Sequence, residues 1–271
     1  MKFELVPILE KLRDLYLIPR GPNRFQAYID LATGGATATK DIPYPPLVTV
    51  NPMAKEHALE FVESWISLGA EDVARTVLEG ANARLESVEY SRPVKVGLSV
   101  LDDLMGGWTN RTFNDAARFK TAESLEKTGW ICVPLWTSEI PTLEELRTVV
   151  LESAFRATFV VQHGDPKSLR EMIRQEGLVA AFASRSLEFD SLEIDSLEID
   201  SLEINSLESA REELEYSRAV IGPHLESTHQ PTVIACLYGD DAAKELGYPP
   251  LGLSKNAGFQ IGLADALEVR M

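Results

Sequence analysis

Four side chains with acid–base or metal-binding chemistry, Asp102, Glu139, His163 and Asp240, stand just beyond short apolar runs: "VKVGLSVL", "WICVPLW", "TFVVQ" and "TVIACLY". The runs are rich in β-branched and aromatic residues, and each is followed by a helix-like stretch, so they are expected to be strands. In an open parallel sheet, ligands bind outside the carboxyl ends of the strands, on the loops that lead into the helices. Parallel strands would bring these four groups to one edge. Asp102 and Asp240 would then hold a divalent cation such as Mg²⁺, with Glu139 as a further catalytic carboxylate that binds the metal or positions substrate, and His163 would act as general acid or base. Asp103, Thr137, Ser138, Asp165 and Asp241 share the same loops. A plainer reading accompanies each: Asp165 and Asp240 precede helices and would cap them, Asp102 opens a polar loop, Glu139 is loop surface, and a lone histidine is structural.

Stronger motifs are missing. Ser138 lacks the Gly-x-Ser-x-Gly elbow that projects a nucleophile. The doublets Gly34-Gly35 and Gly106-Gly107 lack the Gly-Lys-Ser/Thr ending of a phosphate loop. "GLSKNAG", with Lys255 between Gly252 and Gly258, is a basic glycine-rich loop that could hold an anion. His224 and His229 lie about 140° apart on a helix, so they do not share a face as a zinc pair would. "YGDD" at 238–241 resembles the metal-binding turn of RNA-dependent polymerases, which implies paired aspartates on catalytic ions; the helix-like "AAKELG" that follows and the lack of a second aspartate motif depart from that family.

The elements that must position these groups fall into two stretches. Residues 1–88 are expected to form an N-terminal helical region. "NPMAKEHALEFVESWISLG" has apolar residues on one helical face, with Asn51 as cap, Pro52 in the first turn and Gly69 as stop, and "AEDVARTVLEGANARL" pairs with it. Residues 89–271 alternate strand-like and helix-like runs, which implies an α/β domain with a mostly parallel sheet and crossover helices. Thr142 and Glu145 have capping-box spacing at the head of one such helix.

Within this domain, 186–209 repeats an acidic pentad, "SLEID". In a helix a pentad drifts by about 140° per repeat, and in a strand its odd period alternates faces, so it forms no stripe in either. Asp190, Ser191, Leu192, Glu193 and Ile194 resemble one unit of the pentapeptide-repeat family, which implies a square β-solenoid; here an Asp stands where that family prefers a small residue. Five pentads make little more than one coil, so the stretch is read as a low-complexity insertion in a surface loop.

The chain of 271 residues carries a net charge of −16, of which −10 lies between Ser186 and Tyr216. That sign argues against nucleic acid or an anionic lipid surface as partner. No apolar run reaches the ~18 residues of a membrane helix. Cys132 and Cys236 sit in apolar runs and are expected to be buried free thiols of a cytoplasmic protein. The function these features favour is a small-molecule enzyme using strand-end carboxylates and a histidine. The alternative is a non-catalytic regulatory or scaffold protein that binds partners through the helix pair or the acidic repeat.

Overall fold

The computed structural model describes residues 1–35, 44–104, 109–190 and 203–268, without the side chains of 188–190 and 203–209. They form two compact units, Met1–Gly164 and Asp165–Met271.

The first unit is built on three parallel strands in the order β1 (Phe3–Leu5), β2 (Val94–Leu101), β3 (Trp130–Trp136). Between β1 and β2 the chain passes through α1 (Leu9–Leu17), α2 (Pro22–Thr33), α3 (Glu56–Ser67) and α4 (Ala70–Arg84). Between β2 and β3 it passes through α5 (Arg111–Asp115) and α6 (Thr121–Thr128). The stretch 1–88, expected to be helical, thus opens with a strand; at three residues β1 is too short to show an alternating pattern.

Side chains of α4 hold this N-terminal segment. Asn82 pairs with both the N–H and the C=O of Phe3, at 2.7 and 3.0 Å, completing the outer edge of β1. Glu71 accepts from the N–H groups of Ile8 and Leu9, satisfying donors that the head of α1 leaves open. Strand β2 lies between the other two, and Val94, Val96, Leu98 and Val100 are fully buried. Gly97 marks a close approach: a Cβ there would lie 2.5 Å from Cγ of Pro46, in a short 3₁₀ turn (Pro45–Leu47) laid over the sheet. Ser99 Oγ, two residues on and on the same face, donates to the Pro46 carbonyl.

The first unit closes with α7 (Leu143–His163), which starts as expected: Thr142 Oγ1 accepts from the Glu145 N–H. Its length corrects one expected strand. "TFVVQ" belongs to this helix, because the buried positions Leu146, Val150, Ala154, Ala157 and Val160 form one stripe at helical spacing that runs through it.

In the second unit α8 (Leu169–Asp190) and α9 (Glu203–Ile221) flank the repeat. Residues 191–202, the middle of the expected insertion, lie outside the described residues. On both sides the repeat's backbone is helical as far as Asp190 and from Glu203. α10 (Gln230–Tyr238), α11 (Asp240–Glu245) and α12 (Ala257–Glu268) complete the unit. α10 corrects the other expected strand. Val233 through Tyr238 are all buried, and a short helix covered on every side has the same unbroken apolar sequence as a buried strand. α8 and α12 pack backbone to backbone, since a Cβ on Gly177 would fall 1.9 Å from the carbonyl oxygen of Gly262.

All four tryptophans, at 65, 108, 130 and 136, belong to the first unit's sequence. Among the described residues no helix is long and apolar enough to cross a membrane.

Candidate functional site

Two of the four expected strand ends exist, and they are neighbours. Leu101 and Trp136 close the β2–β3 register, and the Thr137 N–H donates to the Leu101 carbonyl, so Asp102 and Asp103 emerge beside Thr137, Ser138 and Glu139. The chain at this edge is held mainly by Asp103. Its carboxylate accepts from the N–H of Ser138 at 2.9 Å and from the Ser138 hydroxyl at 2.7 Å. Arg111, at the head of α5, reaches back over the Trp136 ring to Ser138 and pairs with Glu139. Glu139, expected as a catalytic carboxylate on metal or substrate, is one half of an ion pair at the rim.

Asp102 lies deeper, at 1% exposure. Its Oδ2 accepts from Asn51 Nδ2 at 2.8 Å, its Oδ1 lies 2.9 Å from His57 Nε2, and Thr137 Oγ1 lies 3.3 Å from the same oxygen. A buried carboxylate needs such partners, and each comes from a different segment. His57 is on the first turn of α3 and Asn51 in the loop before it. The sequence spacing suggested a helix from Pro52, but α3 begins four residues later, at Glu56; Asn51 Oδ1 instead accepts from the Met53 N–H and closes a turn. That turn is anchored from behind. Buried Arg24 donates to the carbonyls of Tyr16 and Ala54, and the Tyr16 hydroxyl donates to the Asn51 carbonyl. Burial, and next the charge of Asp102, hold the Tyr16 phenol well above its ordinary range, so it stays a neutral donor.

His57 was not among the sequence candidates. Its other ring nitrogen, Nδ1, is buried and has no hydrogen-bond partner among the described residues. The arrangement is a carboxylate-oriented imidazole with one nitrogen held and the other uncommitted. A signal was present in the sequence: His57, Phe61 and Trp65 recur every four residues, which puts a polar ring on the stripe that α3 buries.

Beside this edge, on the face of the sheet carrying Ser99 and Leu101, lies a cavity of about 460 Å³, lined also by Trp130, Cys132, Trp136 and Arg156. Cys132, expected to be buried, opens onto it, yet protein atoms surround the sulfur closely enough to push the thiol up to about 12; it stays protonated at neutral pH. Cys236 is buried as expected.

The other two expected site residues lie elsewhere. His163 is the last residue of α7, not a strand end, and it is exposed, with Nδ1 3.0 Å from the Phe159 carbonyl and its ring stacked on Phe159. Asp240 opens α11 in the second unit after a helix, again not a strand. Its carboxylate accepts from the N–H groups of Leu251, Gly252 and Leu253 at 2.8–3.1 Å. Gly252 and Leu253 open the "GLSKNAG" loop and Leu251 precedes it, so the anion this loop holds is the chain's own Asp240. Among the described residues no three His, Cys, Asp or Glu side chains gather to hold a metal ion.

The fold is thus a mixed α/β unit with a small parallel sheet, joined in sequence to a helical unit. Comparison with protein-family models, curated proteins and solved structures gave no significant match.

Proposed function

We propose that the first unit carries out a proton-transfer step on a small polar molecule, with His57 as general acid–base and Asp102 as the residue that positions it. One observation carries the reading: His57 Nε2 is fixed 2.9 Å from a buried carboxylate while Nδ1 is left without a partner. A carboxylate on one ring nitrogen fixes the tautomer and orientation of the imidazole, and the uncommitted nitrogen is where a substrate proton would be exchanged. A cavity over Leu101 and Trp136 at the same strand ends supplies space for a ligand, with His57 and Asp102 outside its lining, and Arg111, paired with Glu139, stands at this edge of the sheet. A second reading, a non-catalytic protein that binds a partner through this edge, is favoured by the exposure of Leu104 and Ile140, the latter at 83%, on the same loops and of Phe113 on α5.

The test is a thermal-shift screen of the protein against small carboxylic, phosphorylated and amino compounds, with and without Mg²⁺, followed by turnover assays on the hits. The expected result is a compound that wild type binds and converts, and that His57→Gln binds about equally but converts roughly 10²–10⁴-fold more slowly. Asp102→Asn is expected to slow turnover and alter its pH profile. Compounds that bind without being converted, or a His57→Gln variant of full activity, would move the assignment to the partner-binding reading.

A further inference from the structure

The second unit contains a cleft of about 590 Å³ whose walls are apolar, with Ile173 from α8, Ile221 from α9 and Ile261 from α12. Three arginines, Arg170, Arg174 and Arg218, line the same cleft. This runs against the composition around it: residues 165–271 hold nine basic residues against twenty acidic ones, and a third of the bases stand here. Their partners differ. Arg170 pairs with Glu226 at 2.7 Å, and Arg218 pairs with Asp265 at 2.6 Å and more loosely with Glu268. Arg174 makes no ion pair or hydrogen bond among the described residues, so the cleft keeps one uncompensated guanidinium beside its apolar walls.

We propose that this cleft binds a single-chain aliphatic carboxylate, with the tail along Ile173, Ile221 and Ile261 and the headgroup on Arg174. The walls select the tail by removing apolar surface from water. The pairing selects the head: Arg170 and Arg218 are already engaged by carboxylates, so a single guanidinium, Arg174, is left to receive one, which suits a monoanion better than a dianionic phosphate. A guanidinium fork also meets a carboxylate through two parallel hydrogen bonds. The cleft falls within the 300–1,000 Å³ typical of small-molecule sites, ample for a chain of about ten carbons.

Isothermal titration of the full chain with decanoate, decanol and decyl phosphate, each below its aggregation concentration, tests this. Decanoate is expected to bind saturably and at least tenfold more tightly than decanol, and Arg174→Gln, an exposed substitution, is expected to bring the two level. Absence of decanoate binding, equal affinity for decanoate and decanol, an Arg174→Gln variant that binds as wild type does, or tighter binding of decyl phosphate would each overturn the assignment.

Discussion

At the scale of single residues, the chain uses its carboxylates to organise backbone and side chains. Asp240 shows this most simply. Burial alone would raise its pKa, but the N–H groups of Leu251, Leu253 and Gly252 outweigh that and hold the carboxyl below the usual carboxylate range. A carboxyl depressed on folding stabilises the protein above its unfolded range, and the contribution is lost as pH falls through the folded value. Asp240→Ala is therefore expected to lower stability by about 1–2 kcal/mol at neutral pH, with the difference from wild type shrinking in acid and unaffected by Mg²⁺. Denaturant melts at neutral and acid pH, with and without Mg²⁺, check it. The sequence offered Asp240 as a metal ligand and "GLSKNAG" as an anion loop. That each answers the other is a contact across eleven or more residues, which no local pattern encodes. Asp102 and Glu139 were legible because strand ends are loop positions by rule. His57 was hidden because it stands in a helix, where an apolar stripe draws the eye past the polar ring within it.

At the scale of elements, helix packing in the second unit depends on two glycines. In a helix, Gly→Ala ordinarily gains about 1 kcal/mol from propensity. At Gly177 the new Cβ would fall 1.9 Å from a backbone oxygen of α12, which cannot rotate away, and forced overpacking of this kind costs about 1–3 kcal/mol or more. The clash should win, so Gly177→Ala is expected to destabilise, whereas Gly80→Ala, whose Cβ would meet nothing within 4 Å, should stabilise modestly. Chemical unfolding of the two variants reads the contrast. The same scale explains which elements were legible. β2 and β3 were recognised because each is a short apolar run with breaks on both sides. "TFVVQ" was mistaken for a strand because five residues are too few to show that the stripe begun at Leu146 passes through them. "TVIACLY" defeats periodicity altogether, since burial on all sides erases the polar face that would mark a helix.

At the scale of the whole molecule, the chain divides after Gly164, and each unit has its own buried residues: Leu12, Leu98 and Leu146 in the first, Leu169, Ile221 and Ile234 in the second. Chains of two units commonly depart from two-state unfolding. Calorimetry is expected to resolve two transitions, with decanoate raising only one of them, since a ligand stabilises the state it binds. A single transition that moves as a whole would show that the units unfold together. The uneven placement of tryptophan gives the two halves different optical identities. With every indole in the first unit, tryptophan emission, excited selectively so that Tyr216, Tyr238 and Tyr248 stay silent, watches the first unit and not the melting of the helical unit, which circular dichroism sees well. One sample observed in both ways separates the two halves by colour alone, with no label and no truncation.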